Sequence, residues 1–159
     1  MAESNYNIVL GKLASMCSLS EKCESDALEY LAGKGLTPDE CQKGLDYLVK
    51  NKYIDNQRFA NAFANDKVKF GKWGAIKVRA ALSAKKIGSD IIDYALRNIP
   101  DDLQKDVIAT ETAKKAKTIK DLSTPQAKAK LIRFCTSRGY PNNISFDIID
   151  QIINNSTCN

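Results

Sequence analysis

Lys67, Lys69, Lys72, Lys77, Arg79, Lys85 and Lys86 put seven positive charges into the 22 residues from Lys67 to Gly88, a span with no Asp or Glu, in a chain whose total is only +5. The chemistry open to such a run is neutralisation of a polyanion. Each cation that meets a phosphate releases condensed counterions, which gives affinity without reading sequence. Apolar residues are threaded through the run at Phe70, Trp73, Ile76 and Val78, a mixture suited to nucleic acid. A second basic stretch holds Lys114, Lys115, Lys117, Lys120, Lys128, Lys130, Arg133 and Arg138, opposed locally by Asp121 alone. Charge runs are most often solvated faces. The absence of any acid over the first span tilts the reading toward contact.

Other chemistries are poorly supplied. The 159 residues contain no histidine, which removes the commonest general base, the Ser-His and Cys-His pairs and every His-containing zinc site. The five cysteines, Cys17, Cys23, Cys41, Cys135 and Cys158, are odd in number and read as reduced thiols serving as small buried apolar residues. Cys17 and Cys23 have five residues between them and no second close pair to complete four ligands, so neither metal nor cofactor is expected. Gly33-Lys34-Gly35 lacks the strand and the trailing Ser or Thr of a phosphate loop and reads as a helix end. No run of 18 apolar residues and no basic start before an apolar stretch is present, so a soluble, cytoplasmic protein is expected.

The elements that must position these charges read as helices throughout; the expected class is all-α. Thr37-Pro38-Asp39-Glu40 is the clearest start, with a capping Thr, a Pro at the first helical position and a reciprocating Glu. Further starts are read at Ser20, Asp55, Gly74, Ser89, Thr124 and Asn142 or Asn143, and a stop followed by a new start at Asn98 to Asp102. Phe59, Phe63 and Phe70 recur at helical spacing and read as core. Ala75, Val78 and Leu82 read as the buried stripe of the next helix, turning Ile76, Lys77 and Arg79 outward. Three helix ends repeat one pattern: Leu31-x-x-Lys34-Gly35-Leu36, Leu82-x-x-Lys85-Lys86-Ile87 and Phe134-x-x-x-Arg138-Gly139-Tyr140. Three modules of about 50 residues follow, at 1–53, 54–98 and 99–159. Packed in tandem, they should give an elongated, curved molecule. Their net charges are −2, +5 and +2. A chain ending near Pro100 is expected to keep its first two modules folded.

Y-I-D-x-x-R-F-A at Tyr53, then D-K-x-x-F-x-K-W-G at Asp66, then L-x-x-K-x-I at Leu82 and L-I-R-F-x-x-x-R-G-Y at Leu131, together resemble the RecX family, modulators of the RecA recombinase. The resemblance implies tandem three-helix repeats without catalysis. It also implies binding in the groove of the RecA filament on single-stranded DNA, where the recombinase is restrained in filament growth, ATP hydrolysis, strand exchange and co-protease activity. The RecA filament and single-stranded DNA are the partners implied, with no membrane and a monomeric state. The residues expected at the partner surface are Lys67, Lys69, Lys72, Trp73, Lys77, Arg79, Lys85, Lys86, Lys128, Lys130, Arg133 and Arg138. Arg58 reads equally as a structural ion pair near a helix start. Two rivals remain: a stand-alone nucleic-acid-binding protein, for which the basic middle module suffices, and an enzyme using Cys17 or Cys23 as a thiolate.

Overall fold

The computed structural model describes residues 4–157. The expected all-α class is what is found: among the described residues there are nine helices and no strand. They are α1 (Asn5–Leu19), α2 (Glu24–Gly33), α3 (Pro38–Lys50), α4 (Asn56–Lys69), α5 (Ala75–Ala84), α6 (Ser89–Arg97), α7 (Asp101–Ala116), α8 (Pro125–Arg138) and α9 (Asn142–Thr157).

Side-chain caps set several of these boundaries. Glu40 N–H donates to Thr37 Oγ1 at 3.2 Å and Thr37 N–H donates to the Glu40 carboxylate at 3.0 Å, the reciprocal pair read from the sequence. Thr124 accepts from Ala127 N–H at 3.1 Å, and Asp55 accepts from Arg58 N–H at 3.0 Å. Ser20 does not start a helix. Its N–H donates to the Met16 carbonyl at 3.2 Å and finishes α1, while Cys23 occupies the cap position of α2 and donates to the Asp26 carboxylate at 3.4 Å.

The three repeated helix ends share one backbone device. Gly35, Lys86 and Gly139 are left-handed, with φ of 86°, 63° and 79°. The residue after each donates back to a buried anchor: Leu36 to Leu31 at 3.3 Å, Ile87 to Leu82 at 3.2 Å, and Tyr140 to Cys135 at 3.0 Å. The third anchor is therefore Cys135 and not Phe134. The left-handed residue fixes the count, and Cys135 is 1% exposed while Phe134 is half-buried. Lys52, at φ 63°, ends α3 in the same manner, with Tyr53 donating to Leu48 at 2.9 Å.

Two compact units are formed. One takes the residues up to Ala62 together with Leu82–Asp93; the other takes Phe63–Ala81 together with the residues from Tyr94 onward. In the first, Leu13, Leu31, Leu45, Leu48 and Ile54 centre a core closed by α1, α2 and α3. In the second, Val68, Val78, Ile108, Leu131, Tyr140 and Ile149 are buried, and α7, α8 and α9 pack on one another. A break near Pro100 would strip Phe63–Ala81 of the residues it packs with, so the expectation that the first two modules stand without the third is not supported.

The phenylalanine stripe also needs correction. Phe59 is buried and Phe63 half-buried, but Phe70 is 73% exposed. It lies just past the end of α4, whose inward stripe is made by Ala60, Ala64 and Val68. On α5, Val78 and Leu82 are fully buried and Ala75 half-buried; Ile76 and Arg79 are exposed, and Lys77 is half-buried.

Candidate functional site

Positive charge collects in the second unit. Its described residues hold 15 Lys or Arg against 8 Asp or Glu, whereas those of the first hold 9 against 10.

The basic span enters this unit on the last turns of α4, passes a tight turn and continues on α5. The turn is left-handed at Lys72, φ 60°, where the side chain folds back so that Nζ donates to the Lys69 carbonyl at 2.8 Å. Trp73 packs edge-on against Phe63 at 6.2 Å between ring centres, with Lys67 Nζ 4.9 Å and Lys77 Nζ 4.3 Å from its ring. The indole thus organises two lysines by cation–π attraction. Half-buried, it packs between α4 and α5.

The turn is locked from α8. Gly74 N–H donates to the Arg138 carbonyl at 2.7 Å and Ile76 N–H to the Gly139 carbonyl at 3.0 Å. The orphan donors that open α5 are met by the orphan acceptors that close α8, and the two helix dipoles meet with opposite ends. Only glycine permits the approach. A Cβ on Gly74 would collide with the Gly139 carbonyl, and one on Gly139 with the backbone nitrogen of Lys77. Tyr140, 1% exposed, adds a hydrogen bond from its hydroxyl to the Lys72 carbonyl at 2.7 Å. Burial pushes the Tyr140 hydroxyl pKa up to about 12. The W-G and R-G-Y motifs are therefore two halves of one clasp.

The remaining expected residues divide. Lys69 and Arg79 are exposed. Lys128 pairs with Asp150 at 3.1 Å, and Arg138 lies 3.9 Å from Glu111 and 5.0 Å from the Phe134 ring. Lys130 and Arg133 are exposed on α8. In the first unit, Lys86 is exposed, while Lys85 pairs with Asp26 at 2.9 Å and lies over Phe59 at 5.7 Å. Hydrogen bonding to Asp26 raises the Lys85 pKa. Burial works the other way on Asp26, but hydrogen bonds from Lys85 and Cys23 pull its pKa below the usual carboxylate value. Lys85 thus has a structural partner. Arg58 does too: its Nε donates to Glu21 at 2.7 Å and its guanidinium to the carbonyls of Lys52 and Tyr53.

Cys17, Cys23, Cys41 and Cys135 are free and buried, as read from the sequence; Cys158 lies outside the described residues. Burial pushes the Cys17 and Cys135 thiols up, the wrong direction for a thiolate nucleophile. Among the described residues, no group of His, Cys, Asp or Glu could hold a metal ion, and no helix is long and apolar enough to cross a membrane.

Residues 55–96 match the family model for the second three-helix domain of RecX. The chain is 30% identical over 135 residues to the regulatory protein RecX of Clostridium botulinum strain Eklund 17B, covering 84% of this chain and 63% of that protein. It is 30% identical over 140 residues to the regulatory protein RecX of Clostridium tetani, covering 87% of this chain and 64% of that one. The chain is similar to RecX proteins. The crystal structure of RecX from Lactobacillus salivarius has a similar fold, with a TM-score of 0.82 at 18% identity, over 93% of this chain and 96% of that one. The matched RecX domain contains the whole acid-free span from Lys67 to Gly88. The chain covers a little under two thirds of the clostridial relatives' length.

Proposed function

We propose that this chain regulates homologous recombination and DNA repair by binding a RecA filament on single-stranded DNA and restraining it. The restraint would act on filament growth, ATP hydrolysis, strand exchange and co-protease activity. Its three helical modules, 1–53, 54–98 and 99–159, would bind jointly, each adding to an avidity that none has alone. The observation that carries the reading is the concentration of basic side chains on a turn held rigid by backbone hydrogen bonds, in a chain similar to RecX proteins. Contact is electrostatic, made by a monomer and without catalysis.

Replacing Lys69, Lys72 and Lys77 together by Gln should raise the concentration needed to inhibit RecA ATP hydrolysis about tenfold at low salt, with a shallower salt dependence. A folded triple variant that inhibits as strongly as the parent would overturn the proposal. The stand-alone nucleic-acid-binding reading is favoured by the same charge. It predicts that inhibition vanishes when DNA is in excess over RecA, whereas a filament ligand keeps inhibiting.

A further inference from the structure

One open cleft in the second unit is lined by cations and by no carboxylate. It has a volume of about 590 Å³ and lies between the end of α7 and one face of α8, lined by Lys115, Thr118, Ile119, Lys130, Arg133, Phe134 and Ser137. The α8 contributors recur at the spacing of a single helical face. Lys115, Lys130 and Arg133 have no carboxylate within ion-pair distance among the described residues, whereas neighbouring Lys114 and Arg138 are engaged by Glu111, and Lys128 by Asp150. Three cations facing one cleft repel each other unless an anion is present.

The uncharged lining narrows the anion's chemistry. Thr118 Oγ1 already donates to the Lys115 carbonyl at 2.6 Å, and Ser137 Oγ to the Phe134 carbonyl at 2.7 Å. With their hydrogens committed, both hydroxyls offer the cleft lone pairs only. Ile119 and Phe134 supply apolar surface. A fitting ligand carries an anionic group, donors of its own and a flat apolar face. A nucleotide has all three, and the cleft's size lies within the range that holds small ligands.

We infer that this cleft seats one nucleotide unit of a single-stranded nucleic acid, its phosphate on Lys115, Lys130 and Arg133 and its base against Ile119 and Phe134. The inference rests on the reading of this unit as an anion-binding surface but needs no recombinase. Arg133 supplies a forked contact to phosphate oxygens, and the lysines supply point charge. Strand rather than free nucleotide is favoured because the cleft is open and Lys117 and Lys120, exposed beside its Thr118 and Ile119 edge, offer adjacent phosphates further cations.

The test uses the full chain, a fluorescent oligothymidylate and no RecA. Lys115→Gln, Lys130→Gln and Arg133→Gln together should weaken oligonucleotide binding about tenfold or more at low salt and reduce the salt slope by about 2. A charge-matched control with Lys12, Lys50 and Lys105 changed to Gln should lose less than threefold. The Ile119 methyl resonance should shift on adding the oligonucleotide to the parent and not to the cleft variant. Equal losses in the two triple variants, or an unmoved Ile119 signal, would overturn the site. An Ile119 shift produced equally by thymidine monophosphate at the same concentration would overturn the strand. Because RecA is absent, failure here leaves the regulatory reading standing, and failure of RecA inhibition leaves the cleft standing.

Discussion

A methyl group added at Gly74 would meet the Gly139 carbonyl, and both partners are backbone, so neither can rotate aside. Gly74→Ala is therefore expected to cost about 3 kcal/mol or more in urea unfolding, while Gly88→Ala, where no atom lies within 4 Å, should stay within about 0.5 kcal/mol. The same clasp predicts a pH response. Burial raises the Tyr140 hydroxyl from 10.0 to about 12, so the fold prefers its protonated form. The stability this gives is fully present below pH 10 and is lost as pH rises through about 12. Tyr140→Phe should remove that alkaline loss, and should lower neutral-pH stability by about 1 kcal/mol through the missing bond to Lys72. Asp26 has the opposite sign. Its lowered value means that its contribution is present above 3.8 and disappears as pH falls, so Asp26→Asn should flatten the acid limb of the stability curve.

Helix ends were the most legible elements. The Thr37 box, the Thr124 cap and the recurring basic tripeptides are local patterns, and each left a matching local geometry. Errors came where a local signal had a stronger competitor. Ser20 resembles a cap but serves the helix before it; Phe134 is the bulkier apolar residue, yet Cys135 holds the buried register; Phe70 keeps helical spacing beyond a helix that has already ended. The basic span was visible as composition. That its tryptophan-glycine pair is gripped by Arg138 and Gly139 was not, since no nearby residue encodes a backbone contact made so far along the chain. Left-handed lysines at 52, 72 and 86 were equally hidden, because glycine is the residue that advertises that conformation. Lys86→Gly should stabilise the chain by about 0.5–1 kcal/mol, the left-handed penalty less the extra freedom of unfolded glycine, as read by the urea midpoint.

Over the whole chain, positive charge and the clasp belong to the same unit. This makes the end of α8 and the residues that follow it part of the apparatus that shapes the basic turn. A chain ending at Pro100 should lose the acceptors for Gly74 and Ile76. Amide hydrogens from Phe63 to Ala81 should then exchange far faster than in the full chain; protection equal to the full chain's would show that the segment holds itself. The clasp also sets a schedule. Tyr140 follows its partner Lys72 by 68 residues, and at ribosomal rates of about 5–20 residues per second that separation is a wait of roughly 3–14 s. The segment that carries the charge therefore acquires its final shape only after the 68 residues that separate Lys72 from Tyr140 have been made.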